Sequence, residues 1–393
     1  MKKVTFVPLF VAVALFLVFL FFPNKWLEKM ISDEQVDAAK TEMNPLVYQG
    51  KYMQSRMLQQ DNMMPILGSS ELVRFDPFHP YNYAKATDAP YDTYLVGRGG
   101  MQSLVHFLNI VEQKKNLKDK KVVFIVSPQW FVKEGLDEFH FSPNYSMLQS
   151  YDLAFNKEID SEIKKRGMKR LLTFDTVKRD TVLRTMYEYE LSNHKKYPIV
   201  GKIAMAVGSM TRSIQHKKDL YYSLFIGHNP RNLKADDTLV KGLTFEQQLA
   251  NAEAFGKPRV NNEYSIKTSY YDKKVKPKLQ ELKGYKKDEE YTNSPEYADL
   301  KLVMDAFKDV GAKPMFVSIP MNGKWYDYAE FDKERRDDYY AKMNKFLRES
   351  GYAYVDMSQH ENENYMFTDT LHIGWKGWVY MDHAMDDFWN HNR

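Results

Sequence analysis

The sequence predicts an α/β fold: a mostly parallel sheet with helices on both faces, a helical insertion or cap, and one N-terminal transmembrane helix. Three observations carry this. Short apolar runs at 65–67, 93–96, 122–126, 313–320 and 352–357 alternate with amphipathic segments, and most of them end in a polar or Gly-rich loop. Between Gly135 and Pro295 those runs vanish, and Lys-rich helical segments replace them. At the front, residues 4–22 form an uncharged apolar stretch of 19 residues, long enough for a bilayer core.

The elements follow in order. No A-x-A-like site follows the apolar stretch, so it reads as an uncleaved signal anchor, with a cleaved signal as the alternative. Lys2 and Lys3 precede it without acids, whereas Glu28 offsets Lys25 and Lys29; this bias places the amino end inside and the rest outside, with Trp26 at the interface. Residues 33–61 read as one or two helices, and the proline-broken aromatic stretch 75–82 as a loop. Apolar positions 104, 107, 108, 110 and 111 mark a helix over 102–117. After the insertion come helices at 296–310, 333–349 and 374–390. The expected division is an anchor (1–25), an α/β domain (26–134 with 296–393) and a mainly helical cap (135–295).

Composition excludes several chemistries. The chain has 393 residues, and a formal charge of only +4 does not call for nucleic acid. With no cysteine there is no disulfide, no thiol nucleophile and no Cys-based zinc site. The ten histidines show no metal-ligand spacing, so neither a metal nor another cofactor is expected.

Two segments carry candidate chemistry. After the 65–67 strand, Gly68-Ser69-Ser70-Glu71-Leu72 puts a serine on a strand-to-helix turn, at the carboxyl edge where open α/β sheets bind ligands. A serine there also serves as an ordinary helix N-cap. After the last strand, Asp369-Thr370-Leu371-His372 lets a carboxylate orient an imidazole within one turn, although an Asp in a surface turn looks the same. Gly97-Arg98-Gly99-Gly100 and Ser127-Pro128-Gln129-Trp130-Phe131 end the two intervening strands. Four elements thus converge on one edge, which favours nucleophilic catalysis by Ser69 or Ser70. Trp130, Phe131, Trp375 and Trp378 either wall this pocket or pack the sheet ends.

This ordered set resembles the SGNH (GDSL-like) hydrolase superfamily, whose sheet is flavodoxin-like, and with the anchor it resembles the DltD family of membrane-anchored teichoic acid D-alanylation proteins. The resemblance implies Ser70 as nucleophile, His372 as general base and acid, Asp369 as the orienting carboxylate, and Gly97 as an oxyanion donor. Ser69 stands where the superfamily has Asp, and Gln129 where it has Asn; an amide one methylene longer still donates to an oxyanion.

What the resemblance implies further is a cell-membrane, single-pass Gram-positive protein with an extracellular domain. It would pass D-alanyl groups through acyl-Ser70 to lipoteichoic acid, with an MBOAT-type acyltransferase and a D-alanyl donor system as partners. The alternatives are an SGNH O-acyl esterase acting on cell-wall glycans, and a non-enzymatic scaffold that recruits those partners. Residues 157–218 hold 15 Lys and Arg against 7 Asp and Glu. That balance suggests a basic face on the cap for a polyanionic acceptor, unless it serves solubility or anionic lipid.

Overall fold

The computed structural model describes residues 6–225 and 235–391. Residues 1–5 of the expected anchor, 226–234 of the insertion and 392–393 lie outside the described residues.

Five strands, β1 (Met63–Leu67), β2 (Asp92–Val96), β3 (Lys121–Val126), β4 (Lys313–Ser318) and β5 (Ala353–Asp356), form one parallel sheet in the order β2-β1-β3-β4-β5. The strand order reverses between β1 and β3, so a crevice opens beyond their carboxyl ends. Every residue of β1 is buried, and only Lys121 of β3 is not. Strands covered on both faces need such continuous apolar runs, which is why these two carry them.

The crossover helices have local causes. Ser103–Glu112 is buried from Ser103 to Val111, and Glu296 caps it by accepting the Ser103 N–H (2.9 Å). Glu296–Val310 and Lys333–Ser350 stop at Gly311 and Gly351, both at φ 75°, the left-handed conformation that glycine adopts without strain. Trp375–Asn390 closes the chain.

Residues 33–61 form three helices, Asp33–Ala39, Pro45–Tyr48 and Tyr52–Leu58, rather than one or two. Met43 at φ 53° and Pro45 end the first and start the second. The 75–82 stretch is a loop only to His79. Pro80 sits in the first turn of a Pro80–Ala86 helix, and the His79 side chain accepts the Tyr81 N–H (3.3 Å). Gly323–Tyr328, capped by Asn322, is a helix the apolar periodicity did not reveal.

Between β3 and β4 the described chain is helical. Its longest element, Pro198–Phe225, packs along Thr181–Leu191, where a Cβ at Gly201 would meet the Tyr189 ring at 2.3 Å and one at Gly208 the Met186 sulfur at 2.1 Å. At the amino end, Val7–Phe21 is 15 residues long and spans about 22 Å at 1.5 Å per residue. Asn24–Met30 then leaves it at 80°. Among the described residues no single helix is long and apolar enough to cross a membrane, although this bent pair together has the required length and composition. Lys217 Nζ donates to the Phe22 carbonyl and to Asn24 Oδ1, and Phe19 stacks on Tyr221 at 4.9 Å, so the break is seated on the long helix.

Candidate active site

The turn after β1 separates the two serines. The Gly68 N–H donates to the Val96 carbonyl (3.0 Å), and the Gly68 carbonyl accepts from His106 Nε2 (2.8 Å). Burial pushes His106 down to about 4, so its ring is neutral and Nε2 carries the donated proton. Ser69 is buried; its hydroxyl donates to the Arg98 carbonyl (3.0 Å) and its N–H to Glu71 Oε1 (2.5 Å). Ser70 Oγ instead lies 2.7 Å from His372 Nε2. Ser69 therefore fastens the turn, and Ser70 presents its hydroxyl to the imidazole. The strand-to-helix turn read from the sequence predicts a helix start here. A single four-residue 3₁₀ turn, Ser70–Val73, stands there, too short for much macrodipole.

The segment after β5 crosses the carboxyl edge of the sheet and folds back on itself. Phe367 and Ile373 form an antiparallel bridge, and the Thr368 N–H donates to the His372 carbonyl (3.0 Å). Inside this loop Asp369 Oδ1 accepts the Leu371 and His372 N–H groups, each at 2.9 Å. His372 Nδ1 lies 2.8 Å from both Asp369 oxygens. A carboxylate in that position holds the proton on Nδ1 and leaves Nε2 as the acceptor facing Ser70. Arg74 adds an ion pair to Asp369 Oδ2 at 3.2 Å. Burial alone would raise the Asp369 carboxyl. The hydrogen bond and charge of His372, the Leu371 N–H and Arg74 together hold it below the usual carboxylate range.

A second carboxylate fastens the two segments together. Asp76 accepts the Phe78 N–H (2.8 Å) on one side and the Trp375 N–H (3.1 Å) on the other, so the Ser70 side and the His372 side share one acceptor. Trp375 sits at φ 34°, strained for so bulky a residue, and this bond helps to keep it there. Burial pushes Asp76 up to about 7 against these N–H donors.

The remaining expected residues are placed less directly. Gly97 packs on Gly68: a Cβ there would lie 2.8 Å from the Gly68 carbonyl carbon and oxygen and from Leu72 Cδ1. It is Gly99 that faces the serine, its Cβ position 4.0 Å from Ser70 Cβ. Gln129 lies in the Pro128–Trp130 turn at the end of β3, half-buried, with no hydrogen-bond partner among the described residues. Of the four aromatics, Trp375 lines a cavity beside Asp369, whereas Trp130, Phe131 and Trp378 are buried in the core. Sequence reasoning missed Arg74, Glu71, Asp76, His106 and Asn144, which donates to the Gly99 carbonyl (3.1 Å). Only Glu71, inside the serine motif, carried a signal. Part of the charge of 157–218 is engaged: Arg170 pairs with Asp299, Arg166 with Asp305, Lys164 with Glu190, Lys196 with Glu188 and Arg212 with Asp152. Among the described residues no cluster of three His, Asp or Glu could hold a metal.

The chain resembles known proteins over almost its whole length. Residues 40–390 match the family model described as "DltD protein". The chain is 45% identical over 390 residues to Protein DltD of Bacillus subtilis (strain 168), covering 99% of this chain and 98% of that protein. It is 32% identical to Protein DltD of Staphylococcus aureus (strain NCTC 8325 / PS 47), over 97% of this chain and 95% of that one. To Protein DltD of Lacticaseibacillus rhamnosus it is 30% identical, over 97% and 89% respectively. The chain belongs to the DltD family.

Proposed function

We propose that this DltD-family chain is a membrane-anchored serine acyltransferase of teichoic acid D-alanylation, working outside the cell through an acyl-Ser70 intermediate. The observation that carries the reading is the hydrogen-bonded chain from Ser70 Oγ to His372 Nε2 (2.7 Å) and from His372 Nδ1 to Asp369 (2.8 Å), joined by residues 302 apart in sequence. A scaffold has no need of that geometry.

In this reading, Ser70 Oγ attacks the carbonyl carbon of an activated D-alanyl ester while its proton passes to His372 Nε2. Asp369 stabilises the imidazolium and holds its orientation. The oxyanion is met by the N–H groups of Ser70 and Gly97 and by the unpartnered Gln129 amide. Collapse expels the donor's alcohol, which takes the proton from His372 and leaves D-alanyl-Ser70. A hydroxyl of lipoteichoic acid then attacks the acyl carbon, loses its proton to His372 and departs as the ester, and the proton returns to Ser70 Oγ. The apolar Val7–Phe21 segment with the bent helix after it supplies the anchor. An MBOAT-type acyltransferase in the same membrane supplies the donor.

The test is labelling of the full chain by a fluorophosphonate, with the adduct mapped by mass spectrometry, together with D-alanyl ester formation in cells. An adduct on Ser70, absent in Ser70→Ala, and loss of D-alanyl ester in that variant are expected. No adduct, with ester formation intact in Ser70→Ala, would leave the scaffold reading standing. Free hydrolysis of acetylated glycans without D-alanyl transfer would favour the esterase.

A further inference from the structure

Against the outer end of the Ser70–His372–Asp369 chain lies a cavity of about 540 Å³ whose walls include Asp369, Arg74, Tyr270 and Trp375. Its rim is cationic: Arg259, Lys267, Lys273 and Lys274 all line it. All four are exposed, and none makes an ion pair within 4 Å among the described residues. The two carboxylates in the wall are occupied. Asp369 is engaged by His372 and Arg74, and Asp76 by backbone N–H groups.

The chain holds this rim in place. The Lys267 N–H donates to the Thr368 carbonyl (3.1 Å), immediately before Asp369, which ties the segment to the histidine loop. Lys273 and Lys274 project from a single π-helical turn, Tyr271–Val275, an arrangement uncommon in structures and frequent at functional sites. The turn is pinned from below by buried Val275 and by the Tyr271 ring against Tyr264 (6.0 Å between centroids).

We infer that this cavity is an anion subsite that holds a phosphodiester of the acyl acceptor, so that the neighbouring hydroxyl is delivered to acyl-Ser70. The inference takes the Ser70 reading as its premise and adds how the acceptor is chosen over water. Cations with no carboxylate partner, grouped beside a nucleophile, attract a polyanion, and the wall offers no free carboxylate to repel one. An acceptor with regularly spaced phosphates presents a hydroxyl a few bonds from each charge. Fixing the charge therefore fixes the hydroxyl. The cavity wall begins at Val73, the last residue of the Ser70–Val73 turn, and includes the Asp369 that holds His372.

The test uses the full chain in detergent carrying Ser70→Ala, so that binding is read without chemistry. Glycerophosphoglycerol, a soluble phosphodiester with free glycerol hydroxyls, is titrated against glycerol by calorimetry at two salt concentrations. Inorganic phosphate and phosphatidylglycerol vesicles serve as separate arms. The diester should bind and glycerol should not; added salt should weaken binding, and the Lys267→Gln, Lys273→Gln, Lys274→Gln triple variant should lose about tenfold in affinity or more, the effect of a few exposed ion pairs. In the chain with Ser70 present, the triple variant should react with fluorophosphonate at the normal rate and lose only transfer to the diester. Equal binding of glycerol and diester, or diester binding untouched by the triple variant, would overturn the subsite. Loss of vesicle binding alone would assign the lysines to a lipid surface and overturn it as well. If the diester binds as stated but Ser70 never labels, the subsite stands and the acyl-serine reading falls.

Discussion

Replacing Gly97 with alanine tests whether the turn that presents Ser70 is as tightly placed as the packing implies. The added Cβ would lie 2.8 Å from the Gly68 carbonyl carbon and oxygen, where ordinary contact begins at 3.4 Å. The two backbones must therefore separate by about 0.6 Å. Neither side has slack: the Gly68 N–H is bonded to Val96 and its carbonyl to His106. A shift of that size carried two residues on would stretch the 2.7 Å contact between Ser70 and His372 to the limit of a useful hydrogen bond. Overpacking of this kind costs about 1–3 kcal/mol, and a misplacement approaching 1 Å costs up to about 10²-fold in rate. Since alanine keeps its N–H, the loss is steric rather than the loss of an oxyanion donor. Gly99→Ala is the control, because its Cβ would stand 4.0 Å from Ser70 Cβ, an ordinary contact. The assay is the second-order rate of fluorophosphonate labelling, read beside the thermal midpoint. Slower labelling by about 10-fold or more and a lowered midpoint for Gly97→Ala, with Gly99→Ala near wild type in midpoint, are expected. Wild-type behaviour of Gly97→Ala, or equal damage from both, would refute the close-packing argument.

Ser70→Ala and His372→Ala should each abolish D-alanyl transfer, and the double variant should be little worse than either, because such residues act as a unit. Asp369→Asn should lower the labelling rate by about 10³- to 10⁴-fold, since an amide presents the wrong pattern to His372 Nδ1. Ser69→Ala should keep its chemistry and lose only about 1 kcal/mol in chemical denaturation, the worth of its hydrogen bond to the Arg98 carbonyl. Asp76 makes stability depend on pH in the sense opposite to a salt-bridged acid. Its folded-state value, raised from 3.8 to about 7, means the folded chain holds the proton more tightly, so its contribution is fullest at low pH and declines as pH rises from about 4 to 7. Asp76→Asn should flatten urea-denaturation stability across that window, with a wild-type slope from this group of at most about 1.4 kcal/mol per pH unit.

Much of the sheet was legible because parallel strands covered on both faces write themselves as continuous apolar runs, as in residues 122–126. Boundaries were less legible where a single residue decides them. Pro80 starts a helix inside a stretch that reads as loop, and Asn322 caps one that periodicity does not mark. The choice between Ser69 and Ser70 could not be made from spacing. It depends on the Arg98 carbonyl, 29 residues away, which takes up the Ser69 hydroxyl. Arg74 and Asp76 were invisible for a related reason. An arginine and an aspartate in an aromatic loop are ordinary surface residues until the segment after β5 closes on them.

That closure bears on how the site can exist at all. Ser70 follows β1, near the middle of the sheet, whereas His372 follows β5 at its far edge, so the chain must carry the imidazole back across β4 and β3. Three attachments hold it there from the serine side: Arg74 to Asp369, Ser70 to His372, and Asp76 to the Trp375 N–H. The Lys267 N–H to the Thr368 carbonyl adds a fourth from the insertion. The bond to Trp375 also opposes the strain of a tryptophan at φ 34°, so it stabilises the conformation that aims His372 rather than merely adding a contact. Arg74 and Asp76 lie within six residues of Ser70, so the stretch that presents the Ser70 hydroxyl also holds the loop that carries His372. The cationic turn is joined to the same loop by the Lys267 N–H at Thr368 and by the Tyr270 side chain at Thr370. Loosening the insertion should therefore disturb acceptor use before it disturbs Ser70, a separation that the labelling and transfer assays read independently.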